Sequence, residues 1–124
     1  SERITQASGP APQFGLGKSF SGFAPTGPWI VTPDEFANRD DIGLGCEVNG
    51  VEMQNGRTSS FLFAIPELVS YLSSIVTLLP GDLIFTGTPA GVGMGRKPQV
   101  WLEPGDELVT WIEGIGELRQ SFVA

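Results

Sequence analysis

Lys18 stands between Gly17 and Ser19 in Gly17-Lys18-Ser19-Phe20, where small neighbours leave room for a ligand to approach its ammonium group. A point charge on a flexible stem can there stabilise a carboxylate, or an enolate as its negative charge develops. The bland alternative is a solvated surface lysine. Much further along, Thr88 lies in Phe85-Thr86-Gly87-Thr88-Pro89-Ala90-Gly91-Val92-Gly93, after the apolar run Leu83-Ile84-Phe85, which reads as a strand. A strand end followed by a Gly-rich loop commonly holds ligands through hydroxyl and backbone N–H groups, and turn punctuation before Pro89 is the competing reading. The chain has no histidine, so Ser-His or Cys-His nucleophilic machinery would have to come from another segment or polypeptide. Cys46 is the only cysteine, which rules out an internal disulfide or a cysteine metal cluster and fits a reducing cytoplasm. Its setting, Leu44-Gly45-Cys46-Glu47-Val48, reads as a strand carrying a buried, inert thiol.

Taken in order, Gly17-Lys18-Ser19-Phe20, Pro28-Trp29-Ile30-Val31 and Gly81-Asp82-Leu83-Ile84-Phe85-Thr86-Gly87-Thr88-Pro89-Ala90-Gly91-Val92-Gly93 resemble the fumarylacetoacetate hydrolase family, nearly end to end. The wording is most similar to the bacterial branch of 2-hydroxyhepta-2,4-diene-1,7-dioate isomerases, decarboxylases and acylpyruvate hydrolases. Ser1-Glu2-Arg3-Ile4-Thr5-Gln6 is similar to the family segment Ser-Ala-Arg-Asp-x-Gln, departing from it at Ile4. The resemblance implies that Gln6, Lys18 and Thr88 bind substrate, that Lys18 is also catalytic, and that Arg3 orders its loop. It implies Mg2+ or Mn2+, held by a Glu-x-Glu pair and the aspartate of an Asn-Asp pair, with a His-Glu pair for proton transfer. All of these lie N-terminal to the matched stretch, so no metal ligand is expected in this chain and residues 1–124 read as the C-terminal portion of a catalytic domain. The implied chemistry passes through an enolate of a 2-oxo or 2-hydroxy acid: C–C hydrolysis of acylpyruvate-type diketo acids, decarboxylation, or isomerisation of 2-hydroxy-dienedioates. The implied partners are a small 2-oxo acid, the N-terminal segment of the same enzyme and a second copy in a homodimer. A different class stays open, a non-catalytic β-rich module that binds a small acid or a protein, should the natural chain begin at Ser1.

The elements that must position these residues follow from periodicity. With 124 residues, 40% of them hydrophobic, the chain suits one small domain. A net charge of −7 opposes nucleic-acid binding, and no apolar run approaches the roughly 20 residues that span a bilayer, so a cytoplasmic, soluble protein is expected. Residues 1–28, rich in Gly, Pro and Ser, read as a long ordered loop, and Trp29-Ile30-Val31 as a short strand. Ile42, Leu44, Cys46 and Val48 alternate with small or charged residues in the period of a half-buried strand. Asn49-Gly50 tolerates positive φ at both central turn positions, so Val51 to Gln54 should return antiparallel, with Asn55-Gly56 as a second turn. Leu68, Val69, Leu72, Ile75 and Val76 recur at helical spacing after Pro66, giving one main helix near 66–76, expected to pack on the sheet. Pro80-Gly81 and Pro104-Gly105 fit type II turns that lead into strands. Leu108–Ile112 and Leu118–Val123 should pair across Glu113-Gly114-Ile115-Gly116. The sum is an α+β fold with mostly antiparallel strands, in agreement with the layered β/β/α architecture that the resemblance implies.

Several further features take the plainer reading. Glu103, Asp106, Glu107, Glu113 and Glu117 fall in turns and on the last hairpin, where charges are ordinarily solvated rather than gathered on a cation. Trp101 and Trp111 read as core or interface aromatics, and Phe61-Leu62-Phe63 as either core or dimer interface. Gly91-Val92-Gly93-Met94-Gly95 lacks the Lys-Ser/Thr of a nucleotide phosphate loop.

Overall fold

Alternation and turn chemistry build a four-stranded antiparallel sheet, which the computed structural model describes within residues 14–123. Strand β1 is Gly43–Val48, β2 is Val51–Arg57, β3 is Glu107–Ile112 and β4 is Gly116–Ser121. The spatial order is β2-β1-β3-β4, with every neighbour antiparallel. Asn49 (φ 52°) and Gly50 (φ 75°) close the β1–β2 hairpin with the positive angles the dipeptide favours. Both ends of the Asn49 side chain then work across the sheet. Its Nδ2 donates to Asp106 at 2.8 Å and its Oδ1 accepts the Glu107 N–H at 2.9 Å, so the hairpin tip is tied to the start of β3.

The two Pro-Gly turns are built alike. Gly81 and Gly105 take φ of 97° and 99°, and the amides of Asp82 and Asp106 each donate to the carbonyl three residues back at 3.1 Å. Each aspartate also accepts the N–H of that same residue, Leu79 or Glu103, at 2.8 Å. Their continuations differ. The second turn feeds β3, whereas residues 83–89 form no strand, because no ladder partner lies beside them among the described residues. Leu83 and Phe85 are accordingly 61% and 79% exposed. Trp29-Ile30-Val31 likewise joins no sheet, and Trp29 instead donates its indole N–H to the Ile115 carbonyl at 3.0 Å.

Asn55-Gly56 is not a turn. β2 runs through it to Arg57, with Asn55 opposite Gly45 and Gly56 opposite Leu44, because the ladder to β1 continues once a bulge has absorbed one residue. Cys46 faces Gln54 and Glu47 faces Glu52, which leaves Met53 as the extra residue. The main helix covers Ile65–Ser73 and is shorter than the apolar spacing suggests; residues 74–76 close it in a turn, with the Ser74 and Ile75 amides reaching carbonyls only three residues back. Pro66 sits in its first turn, and the Glu67 carboxylate accepts the Ala64 N–H at 2.9 Å. A four-residue helical turn, Phe14–Gly17, interrupts the stretch read as loop. We call it α1 and the main helix α2.

Burial concentrates on the central strand pair. Cys46 on β1 and Val109 on β3 are 7% and 5% exposed, and the register puts them on opposite faces of the sheet. On the Val109 face, Trp111 lies over Gly43 and Gly45, where a Cβ on Gly45 would come within 2.8 Å of the indole. The helix carries no buried residue: Ile65 and Val69 are 42% and 39% exposed, and its apolar side is not closed by the sheet. No described helix is long and apolar enough to cross a membrane.

Candidate functional site

The Gly-rich segment after Thr86 lies across the Cys46 face of the sheet, and three contacts fix it to β2. Gly56 has no side chain, so the Pro89 ring settles on the strand, where an added Cβ would stand 3.0 Å from two of its carbons. Gly91 (φ 111°) passes so close to Met53 that a Cβ would overlap the Met53 carbonyl. Half-buried Arg96 then clamps the far end, donating to the Gly91 carbonyl at 2.9 Å and to the Met53 carbonyl at 2.5 Å. The carbonyl of the bulge residue is thereby satisfied by a charged donor.

Thr88 sits at the exposed crest of this segment. Its Oγ1 accepts a hydrogen bond from the Gln54 amide at 2.8 Å, and the same amide nitrogen donates to the Pro89 carbonyl at 2.5 Å. Beside Thr88 opens a cleft of about 520 Å³, lined by Leu44, Asn55–Arg57, Ser60–Leu62 and Thr86–Ala90. A smaller apolar recess of about 290 Å³ lies under the Gly-rich loop between Cys46, Met53, Met94 and Trp101. Polar groups converge on the Thr88 cleft and not on that recess, which makes the former the candidate ligand site.

Arg57 is the cation lining the cleft, and its charge is already engaged. Its Nε meets Asp41 at 2.6 Å and one terminal nitrogen meets Glu113 at 3.0 Å. The Arg57 guanidinium and the Ser59 hydroxyl hold the Asp41 carboxyl below the usual carboxylate range. Glu113 is held low by the Gly43 N–H, which it accepts at 2.9 Å, and then by Arg57. This corner ties the end of β2 to the β3–β4 turn and is structural.

Lys18 follows α1 and is exposed; its backbone N–H reaches the Gly15 carbonyl at 3.4 Å, and the Ser19 hydroxyl donates to the same oxygen at 2.6 Å. It does not line the Thr88 cleft. Gln6 and Arg3 lie outside the described residues. The acidic residues of the last hairpin are engaged rather than simply solvated: Glu107 and Glu117 pair with Arg119 at 3.3 and 2.7 Å, and Asp106 accepts from the Glu103 N–H and from Asn49. Among the described residues no three His, Cys, Asp or Glu side chains gather where they could hold a metal ion. Gln54 and Arg96, which secure the Thr88 segment, escape sequence reasoning. A lone Gln in a strand and a lone Arg after glycines carry no spacing signal, and their partners lie 34 and 43 residues away.

An α+β chain with this sheet and this loop defines a class that comparison with known proteins makes explicit. The family model described as Fumarylacetoacetate (FAA) hydrolase C-terminal matches residues 1–123, and the chain belongs to that family. A 2,4-didehydro-3-deoxy-L-rhamnonate hydrolase from Sphingomonas sp. (strain SKA58) is 46% identical over 110 residues, which are 88% of this chain and 39% of that protein. An HpcE-type protein from Mycobacterium smegmatis superposes over 100% of this chain and 46% of its own, at 56% identity and a TM-score of 0.93. Maleylpyruvate hydrolase from Sphingobium sp. SYK-6, solved with manganese(II) and pyruvate, is 32% identical, with a TM-score of 0.78 over 87% of this chain and 38% of its own. Both hydrolases and 2-hydroxyhepta-2,4-diene-1,7-dioate isomerases occur among the matching structures. The chain thus spans 39% of the length of the curated relatives it matches.

Proposed function

We propose that this chain is the C-terminal portion of the catalytic domain of a divalent-metal-dependent enzyme, which converts 2-oxo or 2-hydroxy acids through an enolate. The observation that carries the reading is the family match over residues 1–123, in a chain whose Thr88 segment is fastened beside an open cleft. The relative solved with manganese(II) and pyruvate supports both the cation and the substrate class. The cation, Mg2+ or Mn2+, is assigned to ligands N-terminal to this stretch, as the family resemblance implies. A homodimer and a cytoplasmic location belong to the same reading, the latter supported by a single cysteine that forms no disulfide.

The roles follow from side-chain chemistry. Thr88 donates its hydroxyl proton to a substrate oxygen, and the Gln6 amide binds the polar end of the substrate. Lys18 brings positive charge to the oxygen on which the enolate develops, an interaction stronger in the transition state than in the ground state. C–C hydrolysis of an acylpyruvate-type diketo acid, decarboxylation of a β-keto acid and isomerisation of a 2-hydroxy-dienedioate all use that stabilisation. The test is turnover of acylpyruvates and oxaloacetate by the full-length enzyme carrying Lys18→Ala. Loss of a preorganised charge of this kind lowers kcat by about 10²- to 10³-fold. A kcat equal to that of the parent, in a variant with the parent's circular dichroism, overturns the assignment.

A further inference from the structure

We infer that Gln54 is a positioning residue, which sets the direction of the Thr88 hydroxyl so that it donates to an anionic ligand oxygen in the cleft. The inference rests on the reading of Thr88 as a substrate-binding residue. The geometry determines how the Gln54 amide is turned. The Pro89 carbonyl can only accept, so the group 2.5 Å from it is the amide NH2 and not the amide oxygen. The second N–H of the same nitrogen points to Thr88 Oγ1 at 2.8 Å. The amide oxygen, on the other side, accepts from the Cys46 thiol at 3.4 Å. Burial pushes the Cys46 thiol up from its ordinary value, which keeps it protonated and able to donate.

The consequence falls on Thr88. A hydroxyl has one proton and two lone pairs, and one lone pair is taken by Gln54. Its proton then cannot turn toward the strand, where it would meet an N–H, and so points away from the sheet. The donors run in one direction, from Cys46 through Gln54 to Thr88, and end on a hydroxyl presented as a donor at the cleft. A carboxylate, which only accepts, is the ligand group that this polarity suits. The other N–H of Gln54, on Pro89, holds the backbone of the same loop, so one side chain fixes both the place and the polarity of that hydroxyl contact.

The measurement is a double-mutant cycle on the full-length enzyme, with pyruvate as the probe, its Kd read by titration calorimetry at saturating Mn2+. Gln54→Glu keeps the shape of the side chain but replaces both donors by acceptors, so the Thr88 proton turns back to the carboxylate. Thr88→Val removes the hydroxyl. Each single variant is expected to raise Kd by about 10- to 100-fold, the scale of one hydrogen bond to a charged group. The double variant should bind no more weakly than Thr88→Val alone, because Gln54 acts only through that hydroxyl. Independent, multiplying effects would overturn the inference and leave Gln54 as loop support. Parent-like binding by Thr88→Val sinks the underlying reading of Thr88 instead, and parent-like binding by Gln54→Glu beside a weakened Thr88→Val sinks the inference alone. Should Gln54→Glu fail to fold, Gln54→Met serves in the same cycle. It removes the amide without reversing its polarity, and its effect must likewise vanish in the Thr88→Val background.

Discussion

Gly91 and Gly105 offer a matched pair for testing how the Thr88 segment is held. Both need left-handed backbone, with φ of 111° and 99°, so replacement by alanine strains each by about 1–3 kcal/mol. Their surroundings differ. A Cβ on Gly105 meets nothing within 4 Å, whereas one on Gly91 overlaps the Met53 carbonyl and crowds the Gln54 side chain at 3.3 Å. That carbonyl is backbone in the sheet and cannot swing aside. Gly91→Ala therefore either keeps the overlap, or lifts the loop and lengthens the Arg96 bonds to Gly91 and Met53. Either route adds about 1–3 kcal/mol beyond the backbone strain, from overpacking or from weakened hydrogen bonds to a charged group. Urea unfolding of the full-length protein, followed by tryptophan fluorescence, measures both variants against the parent. Gly91→Ala should be the less stable by that margin. Equal losses would refute the claim that the loop is seated on the Met53 carbonyl.

Cys46 is 7% exposed, and burial raises its pKa. Iodoacetamide at neutral pH should therefore leave it unmodified in the native protein and label it fully in urea; fast native labelling would contradict its place in β1. The Asp41 and Glu113 carboxyls titrate below their ordinary values in the fold, so the stability they contribute is present above about pH 4–4.5 and is lost as pH falls through their lowered values. Thermal melts between pH 6 and pH 3 should show that decline, and Arg57→Met should make it shallower; an unchanged slope would mean that Arg57 does not hold these groups low. The Lys18→Ala kinetics and the Gln54–Thr88 binding cycle complete the set.

Local chemistry carried the turns. Asn49-Gly50, Pro80-Gly81, Pro104-Gly105 and the Glu113–Gly116 connection all form as their residue types require, since a turn depends on φ preferences and hydrogen bonds within four residues. The alternation from Ile42 to Val48 likewise became β1, and Pro66 opens the main helix. Where the same signals needed a distant partner, they misled. Asn55-Gly56 favours a turn locally, yet the ladder to β1 holds it in β2, and its glycine makes room for Pro89. Leu83-Ile84-Phe85 and Trp29-Ile30-Val31 have strand composition but no ladder neighbour among the described residues, and strand identity belongs to a pair rather than to one segment.

The sequence by itself determined the family resemblance, the α+β class, the turns and the candidacy of Lys18 and Thr88, because each rests on residue types at short range or in fixed order. Only the tertiary structure decided that β1 lies between β2 and β3, that the Met53 bulge presents a carbonyl to Arg96, and that Gln54 meets Thr88. Those are contacts between segments far apart in the chain, and no local spacing encodes which distant backbone a side chain will meet once the sheet has closed.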